Sequence, residues 1–172
     1  VEMARDIAQS VNHQFPETLV IPKPEIKANV KTIPGLDGRK MSKNYGNTIP
    51  LFAEKEAMRK LIMKIKTDST ALEDPKDPQS CPVFLLYQCV ASPAEVEAMK
   101  SSYLAGGEGY GHYKTRLFEA LEAHLSPLKA EYDRFKADPA QVEAILADGA
   151  KQAREKAAET LDRVKTRLGF SS

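Results

Sequence analysis

Apolar positions recur at helical spacing along most of this chain, and one stretch breaks the pattern. Residues 2–14 read as an amphipathic helix, with Val1, Arg5, Ala8 and Val11 three or four residues apart. Pro16, Pro22 and Pro24 then interrupt it. Between Ile26 and Ile33 the period changes to two: Ile26, Ala28 and Val30 fall on one side, Lys27, Asn29 and Lys31 on the other. That alternation predicts a short strand or extended segment. Residues 34–47 are rich in Gly and turn formers and predict a loop.

After Pro50 the helical period returns. Residues 53–65 form one candidate helix, ended by Thr67, Asp68 and Ser69 and followed by a proline-rich linker reaching Pro82. The apolar run Val83, Phe84, Leu85, Leu86, Tyr87 and Val90 suits a short buried helix between Pro82 and Ala91. Ser92-Pro93-Ala94-Glu95 marks a helix start: Ser92 as the N-cap, Pro93 in the first turn, Glu95 reaching back to close a capping box. Gly106, Gly107, Gly109 and Gly111 predict a bend. A long helix from about Tyr113 to Phe135 carries Tyr113, Leu117, Leu121, Leu125, Leu128, Tyr132 and Phe135 on one stripe. Asp138-Pro139 opens a last helix with the stripe Val142, Ile145, Leu146, Ala150, Ala153, Ala157, Leu161, Val164 and Leu168, and Gly169 ends it. These stripes predict that residues 82–168 bury one another and fold without the first part of the chain.

Composition narrows the classes. Of 172 residues, 42% are hydrophobic and 28% charged, enough apolar material for a core. No apolar run approaches the length of a membrane span and no secretion signal opens the chain, so a cytoplasmic protein without a membrane partner is expected. The sequence does not begin with Met and starts inside a helical pattern, which predicts a cut chain. Cys81 and Cys89 lack the spacing of a zinc site, and His13, His112 and His124 are scattered, so no metal ligands are expected. Gly107-Glu108-Gly109-Tyr110-Gly111 lacks the spacing of a dinucleotide loop and reads as a helix–helix turn.

Charge changes the picture. Up to Lys66 there are 12 basic and 7 acidic residues; beyond it, 13 and 17. Six bases and two acids lie between Lys23 and Lys43. A local basic loop in a nearly neutral chain suits a small anionic ligand better than a broad nucleic-acid face. The peptide Lys40-Met41-Ser42-Lys43-Asn44 sits inside that loop. Two lysines three apart can bring two ammonium groups onto a polyphosphate, with backbone N–H groups and Ser42 adding hydrogen bonds. Lysine suits the task because a flexible point charge can follow phosphate charge that migrates during reaction. Met41 is expected to turn inward and anchor the loop.

Arg39-Lys40-Met41-Ser42-Lys43 followed by Tyr45-Gly46-Asn47 resembles the KMSKS signature of class I aminoacyl-tRNA synthetases. With Pro34-Gly35-Leu36-Asp37-Gly38 before it, the stretch is similar to the tryptophanyl-tRNA synthetases in particular. Val1–Ala8, Thr67-Asp68-Ser69, the Gly106–Tyr113 bend and the ending from Gly149 to Gly169 extend the resemblance over the whole chain.

The resemblance implies the C-terminal portion of a ligase that activates tryptophan with ATP, releasing AMP and pyrophosphate as it charges its tRNA. It implies an α/β remnant of a Rossmann-like catalytic domain over residues 1–50 and an all-α helical, anticodon-binding domain over residues 51–172. Lys40 and Lys43 would be catalytic, stabilising the β- and γ-phosphates. Ser42 would bond phosphate, Met41 would contact adenine through its backbone, and Thr32 and Ile33 would touch adenine. Asn44 stands where the family has Ser. ATP with magnesium, tryptophan and tRNA are the implied ligands, and the resemblance implies that the parent protein is a homodimer. No HIGH-type or GxDQ sequence occurs, so this chain alone is expected to be inactive. The residues also allow another class I synthetase or nucleotidyltransferase, or a non-catalytic helical module binding tRNA or protein.

Overall fold

The computed structural model describes residues 1–25 and 32–170. Among the described residues six α-helices follow one another: α1 (Glu2–Gln14), α2 (Lys55–Met63), α3 (Pro82–Tyr87), α4 (Pro93–Ala105), α5 (Tyr110–Ala137) and α6 (Pro139–Leu168), with a 3₁₀ turn at Lys43–Tyr45. The caps explain several boundaries. Ser92 Oγ accepts from Glu95 N–H while the Glu95 carboxylate accepts from Ser92 N–H at 2.8 Å, a complete capping box. Asp138 accepts from Gln141 N–H ahead of Pro139, and Gly169 closes α6 in the left-handed region.

The expected α/β remnant of residues 1–50 is corrected by the structure. Among the described residues there is no β-strand, only a single antiparallel bridge between Pro34 and Lys40. A ladder needs a neighbour along several residues, and the backbone around this bridge is committed elsewhere. Gly38 N–H closes a turn on Gly35 O, and Ser42 N–H is held by the Asn47 side chain. The all-α part of the expectation stands. Most of the alternating segment, Ile26 to Lys31, lies outside the described residues.

The chain divides into two compact units, Val1–Ile26 with Arg134–Ser172, and Lys27–Asp133. The second unit holds the hydrophobic core. Met58, Ile62 and Ile65 from the α2 region, Val83, Phe84, Leu86 and Tyr87 of α3, Met99 and Tyr103 of α4, and Tyr113, Leu117, Phe118 and Leu125 of α5 form one cluster. Tyr103 and Tyr113 meet at 3.9 Å between ring centroids, and Phe84 lies 5.6 Å from Tyr103. Burying a side chain such as Ile62 contributes about 1.5–3 kcal/mol. Met58, Ile62 and Ile65, which precede residue 82, are part of this core.

In the first unit, α1 and the turn after it share a polar lock. Asn12 Oδ1 accepts from Thr18 N–H and Leu19 N–H, Arg5 donates to Pro22 O at 2.7 Å, and Arg163 of α6 donates to Thr18 O at 3.0 Å. The apolar stripe of α6 is the second departure: none of its residues is buried, and Ile145, Leu146 and Leu161 are each more than half exposed. Helical period writes a stripe, but burial needs a covering surface.

Candidate functional site

The loop from Pro34 to Asn47 is built by backbone hydrogen bonds that fold it back on itself. Gly35 N–H donates to Arg39 O at 2.7 Å, Gly38 N–H to Gly35 O at 3.0 Å and Met41 N–H to Ile33 O at 2.8 Å. Gly38 has φ +82°, a left-handed conformation that glycine adopts without steric cost. A second turn follows: Ser42 caps the Lys43–Tyr45 turn by accepting from Asn44 N–H at 3.3 Å, and Gly46 N–H returns to Lys43 O. Lys66 N–H donates to Leu36 O at 2.8 Å, and Leu36, Met41 and Ile49 pack against the core. The loop is therefore seated on the helices of its own unit.

Asn47 holds the two turns together. It is only 3% exposed. Its Oδ1 accepts from Ser42 N–H at 2.8 Å, its Nδ2 donates to Asp37 Oδ1 at 2.7 Å and to Lys40 O at 3.3 Å, and its carbonyl accepts from Leu36 N–H at 3.0 Å. Gly35 packs so close to it that an added Cβ would lie 2.6 Å from Asn47 O. The Asn47 amide, and after it Arg39, hold the Asp37 carboxyl down to about 2. Arg39 is itself occupied: its guanidinium meets Asp37 at 2.6 Å and stacks over the Tyr45 ring at 4.4 Å.

The residues singled out from sequence lie as follows. Lys40 and Lys43 are exposed, and neither ammonium makes a hydrogen bond or ion pair among the described residues. Met41 between them is half-buried against the core, as its apolar side chain dictates. Ser42 is half-buried; its oxygen accepts from Asn44 N–H, which leaves its own O–H proton free to donate. Asn44 is exposed. Ile33 is exposed and joined to the loop through its carbonyl, while Thr32 is exposed one residue earlier. The fold thus brings Lys40 to Asn44 and Ile33 into one hydrogen-bonded loop.

Sequence reasoning missed Asn47, Asp37 and Gly35 as organisers. Their signal was present in residue type, since Asn and Asp side chains substitute for backbone partners in turns. What the loop offers chemically is two unneutralised ammonium groups, a hydroxyl proton and a backbone pinned at both sides of Met41. That arrangement suits a multiply charged oxyanion.

A family model described as class I tRNA synthetases (W and Y) matches residues 1–126. The chain is 47% identical over 170 residues to a tryptophan–tRNA ligase of Rhodopirellula baltica, covering 99% of this chain and 53% of that protein. It is 45% identical over 174 residues to a tryptophan–tRNA ligase of Xylella fastidiosa, covering 100% of this chain and 40% of that one. Its structure is similar to a Campylobacter jejuni tryptophanyl-tRNA synthetase crystallised with ADP and tryptophan, with TM-score 0.76, 37% identity, and coverage of 98% of this chain and 53% of the other. The chain spans about half the length, or less, of the curated relatives it matches.

Proposed function

We propose that this chain, which belongs to the class I tRNA synthetases of the W and Y group, is the phosphate-handling part of a ligase that activates tryptophan with ATP and passes it to tRNA. The observation that carries this is the pair of exposed, unneutralised ammonium groups of Lys40 and Lys43 on a loop folded back on itself by hydrogen bonds. Likeness to tryptophan–tRNA ligases along nearly the whole chain supports the choice of tryptophan as substrate.

In the activation step the tryptophan carboxylate attacks the α-phosphorus of ATP, the bond to the bridging oxygen breaks, and pyrophosphate leaves with that electron pair. Negative charge grows on the β- and γ-phosphates as it leaves. Lys40 and Lys43 meet this growing charge, Ser42 donates its hydroxyl proton to a phosphate oxygen, and Asn44 lies beside them in the family's serine position. Met41 offers backbone groups to adenine, as do Thr32 and Ile33. This is electrostatic stabilisation and requires no proton transfer by the lysines. Among the described residues no group of three or more His, Cys, Asp or Glu could hold a metal ion; magnesium would enter with the phosphates of ATP, and no step is assigned to it.

Residues 1–50 would then serve the catalytic part of the whole protein, and residues 51–172 the part that meets the tRNA anticodon. The whole protein acts as a homodimer in this reading. Among the described residues no helix is long and apolar enough to cross a membrane.

The test is Lys43→Ala in the full-length ligase, assayed by tryptophan-dependent pyrophosphate exchange. An interaction made in the transition state lowers kcat and kcat/KM together. By analogy with loss of one oxyanion donor, kcat should fall by roughly 10²–10³ with tryptophan binding little changed. Unchanged kcat would show that the loop does not face the reacting phosphates.

A further inference from the structure

Asn47 is buried, polar and unassigned by the phosphate chemistry, yet its side chain touches the peptide on both sides of Met41. Oδ1 takes the N–H of Ser42 and Nδ2 reaches the carbonyl of Lys40. The same Nδ2 binds Asp37, whose other carboxylate oxygen binds Arg39 Nε at 2.6 Å. The network therefore does two things. It fixes the direction in which Lys40 and Lys43 leave the backbone, and it withdraws Arg39, the third cation of the loop, into a pair with Asp37 and Tyr45. A guanidinium left free beside the lysines would bind the same anion in a rigid bidentate geometry.

We propose that Asn47 is the positioning residue of this loop, acting with Asp37 to hold the lysine pair in register for a pyrophosphate group while keeping Arg39 away from it. This rests on the phosphate assignment of Lys40 and Lys43. Gly35 fits the same account: it lies against Asn47 so closely that no side chain could stand there without displacing it. So does burial, because an amide with all its bonds made inside the protein has few alternative arrangements.

The experiment titrates this chain with inorganic pyrophosphate by calorimetry, comparing the unmodified chain with Lys40→Ala, Lys43→Ala, Asn47→Ala and the Asp37→Asn/Asn47→Asp double variant. The double variant reverses the direction of the 37–47 hydrogen bond, and a carboxylate oxygen still accepts from Ser42 N–H, but position 47 then has no donor for Lys40 O, so the restoration is partial. Asn47→Ala should weaken pyrophosphate binding about tenfold, as the lysine variants do, and the double variant should recover to within about threefold of the unmodified chain. A merely structural role would not show that recovery.

If the lysine variants lose affinity and Asn47→Ala keeps it, the positioning role is wrong and the phosphate assignment survives. If the unmodified chain does not bind pyrophosphate, or the lysine variants bind as well as it does, both fall. Hydrogen exchange on the unmodified chain gives a measurement independent of any variant's folding. The Ser42 amide should be protected because Asn47 holds it. Free exchange at Ser42 would overturn the clamp.

Discussion

Gly35→Ala tests the loop with a single methyl group. Gly35 is buried, and its backbone is not in the left-handed region, so alanine meets no conformational penalty there. The penalty is contact alone. The new Cβ would sit 2.6 Å from Asn47 O and would overlap the Asn47 side-chain amide as well. These are atoms of a buried residue whose side-chain amide and carbonyl are hydrogen-bonded, so the overlap is relieved only by moving Asn47. Moving it strains three bonds to the backbone: Ser42 N–H to Oδ1, Leu36 N–H to the carbonyl, and Nδ2 to Lys40 O. At about 1 kcal/mol net for each, the loss is about 3 kcal/mol. With a urea dependence near 2 kcal/mol per molar, the unfolding midpoint should fall by about 1.5 M. The assay is urea denaturation followed by far-ultraviolet circular dichroism. Gly46→Ala is the comparison: Gly46 has φ +62° and open space around it, so alanine costs only the left-handed penalty of roughly 1 kcal/mol. A Gly35→Ala midpoint equal to that of the unmodified chain, or higher than that of Gly46→Ala, would refute the close-packing account.

Asp37 is held at about 2, below its ordinary value of 3.8, chiefly by the Asn47 amide. Its folded value is depressed, so its contribution is present above pH 3.8 and is lost as pH falls through about 2. The Asn47 side-chain amide resonance should titrate with a midpoint near 2, and a midpoint near 4 would contradict the bond. Lys76 is 2% exposed and its Nζ donates to the carbonyls of Ala71, Leu72 and Asp74 at 2.9–3.0 Å. Lys76→Met removes those donors and should cost on the order of 3 kcal/mol in chemical denaturation; a neutral substitution would mean the carbonyls find water. A chain beginning at Asp74 loses Met58, Ile62 and Ile65 from the core. Its thermal melt should be broad, and a sharp cooperative transition would show that the remaining helices suffice.

What the sequence determined by itself was local. Helix starts and stops followed from residue types acting on their own backbone, as Ser92 with Glu95, Asp138 with Pro139, and Gly169 do. α1 runs over the residues its period marks, and the basic loop was legible from Lys40 and Lys43 between turn formers. Such signals act over a few residues, so no other part of the chain is needed to read them.

Only the tertiary structure decided the rest. Whether an extended segment finds a neighbour to pair with is not written in its own residues, and among the described residues the β pairing is limited to the isolated Pro34–Lys40 bridge. The stripes of α5 and α6 look alike in sequence, yet Tyr113, Leu117 and Leu125 are buried while Ile145, Leu146 and Leu161 are exposed. Period sets which residues share a face, and contact with another surface sets whether that face leaves water. Asn47 is the sharpest instance. Nothing in its type distinguishes it from Asn44 three residues away. The folding back of the loop buries one amide among Ser42, Asp37 and Lys40 and leaves the other in solvent, because hydrogen-bond partners five to ten residues away are brought together only by the turn between them.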